Sequence, residues 1–209
     1  ARSDADSATL GLYFGTTGAG LRFSGGVLAS WHEVDTSRSL GSVGMGTALG
    51  RYDAHSYSIF AEASYEYQLE RGQLQPFFGL AHVSYDSDGF SETGGSGALT
   101  VAGISTETSY ATLGLRGQTK FAFGSESLLA TGMLGWRHAF GDINTSQTAW
   151  LQGNAMNIEG MPVAENELLI EAGLGMEVSP NATFNFSYSG RLSDDYADHG
   201  VRANLKVAF

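Results

Sequence analysis

Apolar and polar residues alternate with a period of two along most of this sequence, which predicts strands rather than helices. The final segment is the clearest: Val201, Ala203, Leu205, Val207 and Phe209 are apolar, with Arg202, Asn204 and Lys206 between them. Upstream, Ala182, Phe184, Phe186, Tyr188 and Leu192 oppose Thr183, Asn185, Ser187, Ser189 and Arg191. Leu168, Ile170, Ala172, Leu174, Met176 and Val178 oppose a face carrying Glu171, Gly173, Gly175 and Glu177. Ala111, Leu113, Leu115, Phe121 and Phe123 oppose Thr112, Gly114, Arg116, Gln118 and Lys120. Tyr57, Ile59, Ala61, Ala63, Tyr65 and Tyr67 oppose Ser56, Ser58, Glu62, Ser64, Glu66 and Gln68, with Phe60 breaking the pattern. Leu21, Phe23, Val27, Ala29 and Trp31 oppose Arg22, Ser24, Gly26, Ser30 and His32. Segments near 8–15, 74–86 and 127–140 are strand-like too, although the register of 74–86 stays open. The expectation is nine strands, several of them reaching the ~9–11 residues that cross a bilayer.

Alternation suits a soluble sandwich as well, so the connections carry the distinction. They run short, long, short, long: Thr16–Gly20 then Val34–Asp53, Glu70–Gln73 then Asp86–Thr106, Gly124–Ser127 then Gly141–Asn166, Ser179–Asn181 then Ser193–Asp198. Tight turns at one end and long loops at the other are the arrangement of an antiparallel up-and-down transmembrane β-barrel. Charge placement agrees. Arg22, Arg116, Lys120, Arg137, Arg191, Arg202 and Lys206 fall on the face opposite the apolar one, together with Glu62, Glu66, Glu171 and Glu177. Charge is costly against lipid at the membrane midplane, so this face is assigned to the lumen. The competing reading is the solvated outer face of a soluble β-protein. Tyr13, Phe14, Trp31, Tyr57, Tyr67, Phe77, Tyr85, Trp136 and Phe140 lie near strand ends and suit interfacial girdles.

Composition narrows the classes. The 209 residues contain no Cys, 3 Pro and 29 Gly, and carry a formal net charge of −11. Without cysteine there is no disulfide scaffold and no thiolate metal site. An acidic chain with scattered cations makes no nucleic-acid surface, which needs clustered positive charge. The long loops hold many of the acidic residues. If those loops are extracellular, the last strand descends to a periplasmic end at Phe209 and the first strand descends from outside. A single-chain barrel has an even strand number with both ends periplasmic. Nine strands therefore leave an open edge in lipid, and the expectation is an odd number of further strands upstream.

These residues resemble the C-terminal translocator (β) domain of bacterial autotransporters, the type V secretion proteins. The resemblance runs through Ser30-Trp31-His32-Glu33-Val34-Asp35-Thr36-Ser37-Arg38, Pro76-Phe77-Phe78-Gly79-Leu80-Ala81, Asp88-Gly89-Phe90 followed by Glu92, and Thr112-Leu113-Gly114-Leu115-Arg116. It continues through Gly135-Trp136-Arg137-His138-Ala139-Phe140-Gly141-Asp142, Glu171-Ala172-Gly173-Leu174, Ser179-Pro180-Asn181-Ala182 and Ser187-Tyr188-Ser189-Gly190 to the tail His199–Phe209. It implies a twelve-stranded outer-membrane barrel threaded by a linker helix and joined to a secreted passenger, with residues 1–209 as the fourth to twelfth strands. On this resemblance the lumen residues named above contact the linker or the passing passenger; the plainer role is cross-lumen ion pairing that stiffens the wall. Val201, Ala203, Leu205, Val207 and Phe209 look like the terminal signal read by the barrel assembly machinery, through an apolar last strand that pairs by its edge. The implied partners are outer-membrane lipid, that machinery, and the chain's own linker helix and passenger. The complete barrel is expected to be a monomer.

Other chemistry is poorly supported. The five histidines lack metal-ligand spacing, and no Gly-x-Ser-x-Gly elbow occurs. Gly15–Gly20 mimics a phosphate loop but joins two strands without a following helix. Asp86-Ser87-Asp88-Gly89 lacks the full spacing of a calcium loop. No cofactor, metal or catalytic residue is assigned. The expected function is translocation, not catalysis, with a passive porin- or adhesin-type barrel as the alternative and a barrel enzyme behind it.

Overall fold

The computed structural model describes residues 1–41, 44, 46–123, 126–179 and 181–207. Its strands are β1 (Arg2–Gly18), β2 (Leu21–Ser39), β3 (Thr47–Tyr65), β4 (Tyr67–Leu69), β5 (Gly72–Ser87), β6 (Phe90–Ser91) and β7 (Leu99–Val101). They continue with β8 (Ile104–Phe123), β9 (Glu126–Gly141), β10 (Ser146–Leu151), β11 (Asn154–Glu159), β12 (Asn166–Ser179), β13 (Ala182–Leu192) and β14 (Ala197–Val207). Nine of them form one antiparallel meander in the order β1-β2-β3-β5-β8-β9-β12-β13-β14, and β4 continues the β3 side against β5. These nine are the nine strands that the alternation predicts.

Register sets the two faces. Arg22 pairs with Ser64, Ser64 with Phe77, Phe77 with Gly114, Gly114 with Gly135 and Gly135 with Leu169, so all lie on one face. Leu21, Tyr65, Phe78, Leu113, Trp136 and Leu168 occupy the other. The open register of 74–86 is thereby settled: Phe78 and Leu80 join the apolar face and Phe77 the polar one. Tyr13, Phe77 and Tyr85 share the polar face and do not belong to the outer girdles, whereas Phe14, Trp31, Tyr57, Tyr67, Trp136 and Phe140 lie on the apolar face.

Burial is inverted relative to a soluble domain. Among the described residues no large side chain is fully buried. The apolar face is open, with Leu12 at 76% and Leu134 at 56% exposed. Excluding glycines, the buried residues of the large sheet (Val34, Ala48, Ala54, Ser64, Phe77, Thr108, Ala139 and Glu167) all lie on the polar face. A wall of this kind satisfies its backbone by ladder bonds and turns its grease outward, as a lipid-facing barrel wall must. On β2 the apolar band runs from Leu21 to Trp31. Ten steps of ~3.3 Å, inclined by ~40°, give a height of about 25 Å, the band of an outer-membrane barrel.

Beyond that band the outer face becomes charged, through Asp4, Asp6, Glu33, Asp35, Arg51, Asp53, Asp86 and Glu107. Arg51 pairs with Glu33 at 3.1 Å and with Asp35 at 2.8 Å. Its hydrogen bonds hold the Asp35 carboxyl below the usual carboxylate range. Much of the −11 charge thus sits where the strands have left the apolar band.

Two of the long loops fold into a second sheet, in the order β11-β10-β7-β6, which replaces the irregular loops expected for 86–106 and 141–166. Its β10–β11 turn uses Gln152 at φ 50° and Gly153 at φ 83°, and the β1–β2 turn uses Ala19 and Gly20 at 50° and 83°. Two successive positive φ values match the right-handed twist of a two-residue hairpin. Pro180, at an expected turn, lies outside the described residues, as do Ala208 and Phe209.

Candidate functional site

The chemistry gathers on the polar face. Arg22, Glu62, Glu66, Arg116, Lys120, Arg137, Glu171, Glu177, Arg191, Arg202 and Lys206 share this parity of the register. Strand alternation alone puts them there, because every second residue of a pleated strand points the same way.

The register draws several of them into pairs. Arg22 reaches Glu66 at 2.9 Å. Arg116 on β8 grips Glu62 on β3 with two hydrogen bonds, of 2.6 and 2.7 Å, across the intervening β5. Gly79 stands directly beside Glu62 on β5, so no side chain blocks the path. The Arg116 guanidinium also lies 3.8 Å from the centroid of the Phe77 ring. That ring in turn occupies the slot left by Gly114: a Cβ there would sit 2.5 Å from it. Glycine, ring, guanidinium and carboxylate thus form one stack over three strands, and fork geometry with the cation–π contact fixes the arginine.

A second cluster sits nearer the long loops. Glu167, 4% exposed, accepts hydrogen bonds from Arg137 and from the Tyr196 hydroxyl. Arg137 also lies 5.1 Å from the centre of the Tyr110 ring. Next to it Arg191 pairs with Asp198 at 2.7 Å. A polar recess of about 190 Å³ adjoins the first cluster, lined by Gln73, Gln75, Arg116, Thr131, Met133 and Glu171. Lys120, Glu171, Glu177, Arg202 and Lys206 share the face but enter no ion pair among the described residues.

Four charged residues were not assigned to the site from the sequence, although Arg38 and Glu92 lie in the motifs that carry the resemblance. Glu167 precedes Leu168 in the same alternation that places Glu171, and Asp198 lies opposite Arg191, so strand parity extended by one turn would have found both. Arg38 and Glu92 are 54 residues apart and meet only because the second sheet folds onto β2. On the opposite face Val201, Ala203, Leu205 and Val207 share the apolar parity of β14, as the terminal-signal pattern requires; Phe209 is outside the described residues.

The arrangement is a polar wall on which four ion pairs fix part of the charge. Comparison with known proteins gives the family and the fold. The family described as "Autotransporter beta-domain" matches residues 1–189. Two extracellular serine proteases of Serratia marcescens are each 30% identical, over 98% and 100% of the chain. The chain spans only 20% of the length of either. Among solved structures, the translocator domain of the autotransporter NalP from Neisseria meningitidis has a TM-score of 0.64 at 17% identity. It is matched over 99% of this chain and 68% of that one. The Pseudomonas putida toluene transporter TodX has a TM-score of 0.56 at 12% identity, covering 99% of this chain and 61% of TodX. At such identities these two likenesses speak for the fold alone. An inside-out wall of nine antiparallel strands, matched by this family over nearly its whole length, makes the chain a member of the autotransporter β-domain family.

Proposed function

We propose that this chain forms the C-terminal three quarters of a twelve-stranded barrel that anchors a covalently attached passenger and exports it to the cell surface. The chain itself is a bacterial outer-membrane protein of the autotransporter β-domain family. The observation that carries the export reading is the inverted wall: apolar side chains outward, and a polar inner face whose cations are mostly paired. An extended polypeptide crossing such a lumen keeps its backbone hydrated and meets no strong single-sign field that would trap it. The missing strands and the linker helix are assigned to an upstream segment, which supplies partners for the free edges of β1 and β14. Lys120, Glu171, Arg202 and Lys206, being unpaired among the described residues, are the groups we assign to contact with linker or passenger. The serine-protease activity in the relatives' names is assigned to the four fifths of those proteins outside the match, and no catalytic role is given to this chain.

The test is surface display. The full-length protein is expressed with and without residues 1–209, and the passenger is assayed by external protease on whole cells. The expected result is display of the intact protein and retention in the periplasm without this segment. Surface display in its absence would overturn the reading.

A further inference from the structure

The second sheet is seated on the inner side of the wall. One of its sides carries Phe90, Leu99, Val101, Ala149 and Leu151, which register with one another across β6, β7 and β10. Phe90 stacks on Tyr52, with ring centroids 4.9 Å apart, and fills the space above Gly50. Tyr52 and Gly50 have the parity of the polar face. Above the membrane band that face turns apolar, and Val34, Ala48 and Ala54 are buried there. A backbone bridge between Leu49 and Thr93 joins the sheet to β3. The sheet is thus folded inward over the end of the wall from which a chain crossing the lumen would emerge.

An ion pair closes this seat. Glu92, whose side chain is 7% exposed, accepts hydrogen bonds from Arg38 Nε at 3.3 Å and Nη2 at 2.5 Å, and from the Leu99 N–H at 2.9 Å. The same Arg38 Nη2 donates to the Gly97 carbonyl at 2.9 Å. Such a pair adds little net stability compared with apolar contacts of the same size, but it tolerates few alternative geometries. Burial pushes the Glu92 carboxyl up, but the Arg38 and Leu99 hydrogen bonds and the Arg38 charge outweigh it, leaving it below the usual range. The pair's contribution is therefore present above the unfolded carboxylate value and lost only as pH falls through the lowered folded one.

We propose that Arg38 and Glu92 are positioning residues for export: their ion pair fixes the external sheet over the exit of the lumen, so that the emerging chain leaves past a surface of set orientation. This rests on the translocator reading above. The experiment is a pulse–chase in cells on the full-length protein with its passenger. Arrival of the passenger at the surface is followed by external protease, and barrel folding by heat-modifiable mobility. Arg38→Ala and Glu92→Gln are each expected to slow passenger arrival about tenfold while the fraction of folded barrel stays unchanged. The exchange R38E with E92R is expected to restore the rate to within about threefold of the parent. Single variants that export at the parental rate would overturn the proposal. So would an exchange as slow as the singles, or a slowing that only tracks lost barrel folding. If the parent itself never displays its passenger, the translocator reading fails instead, which is visible before any variant is compared.

Discussion

Leu134→Lys is expected to destabilise the folded barrel by about 2–4 kcal/mol, while Met133→Lys next to it changes stability by less than about 1 kcal/mol. The two residues are adjacent on β9 and opposite in environment. Leu134 lies midway along the outer band, paired with Leu115 and Ile170, and is more than half exposed to what must be hydrocarbon. Met133 lines the polar recess beside Glu171, which enters no ion pair among the described residues. A lysine there keeps its water and stands between Glu171 on β12 and Arg116 on β8, whose charge is already paired with Glu62, so attraction and repulsion largely offset. The measurement is equilibrium urea unfolding of the complete barrel in lipid vesicles. Equal effects at the two positions would mean that the faces are misassigned.

Gly114→Val is expected to cost about 3 kcal/mol, at the upper end of overpacking effects. A Cβ at this position would meet the Phe77 ring at 2.5 Å and the Leu134 carbonyl oxygen at 2.8 Å. The ring would have to leave its slot, carrying away the surface on which the Arg116 guanidinium lies and loosening its grip on Glu62. Adding Phe77→Ala should recover only part of the loss, because the backbone contact with Leu134 remains. Full recovery would show that the ring alone sets the requirement for glycine. No loss in the single variant would show that the stack is not held as described.

The strands were legible where one face meets lipid and the other water, because that contrast writes a period of two into β12, β13 and β14. It faded in two places for different reasons. In β5 both parities carry apolar residues, since Phe77 turns inward to fill the slot at Gly114 on the neighbouring strand while Phe78 faces lipid. No local pattern reports a slot that belongs to another strand. Above the membrane band, as at Arg2–Ser7 and Glu33–Ser39, both faces leave the hydrocarbon and the alternation loses its cause, so strands that continue there read as loops. The second sheet was hidden for a third reason: β6 and β7 have two and three residues, and β10 joins β7 across about 50 positions of sequence. The charged site divides in the same way. Strand parity was enough to put eleven residues on one face, but which of them pair depends on reach across strands, as from Arg116 over β5 to Glu62.

The most direct test of the inverted wall uses the chain's own lack of cysteine. Single cysteines are placed in turn at positions 111, 112, 113, 115, 116 and 118 of β8 in the complete barrel, folded into vesicles; Gly114 is left out because a side chain there meets the Phe77 ring. Each is probed with a charged, membrane-impermeant thiol reagent and, through an attached fluorophore, with quenchers confined to the lipid tails. Positions 112, 116 and 118 should react with the aqueous reagent and escape quenching, while 111, 113 and 115 should be quenched and resist the reagent. Uniform labelling along the segment, or the opposite phase, would contradict a wall that keeps its polar face inside the lumen and its apolar face in the membrane.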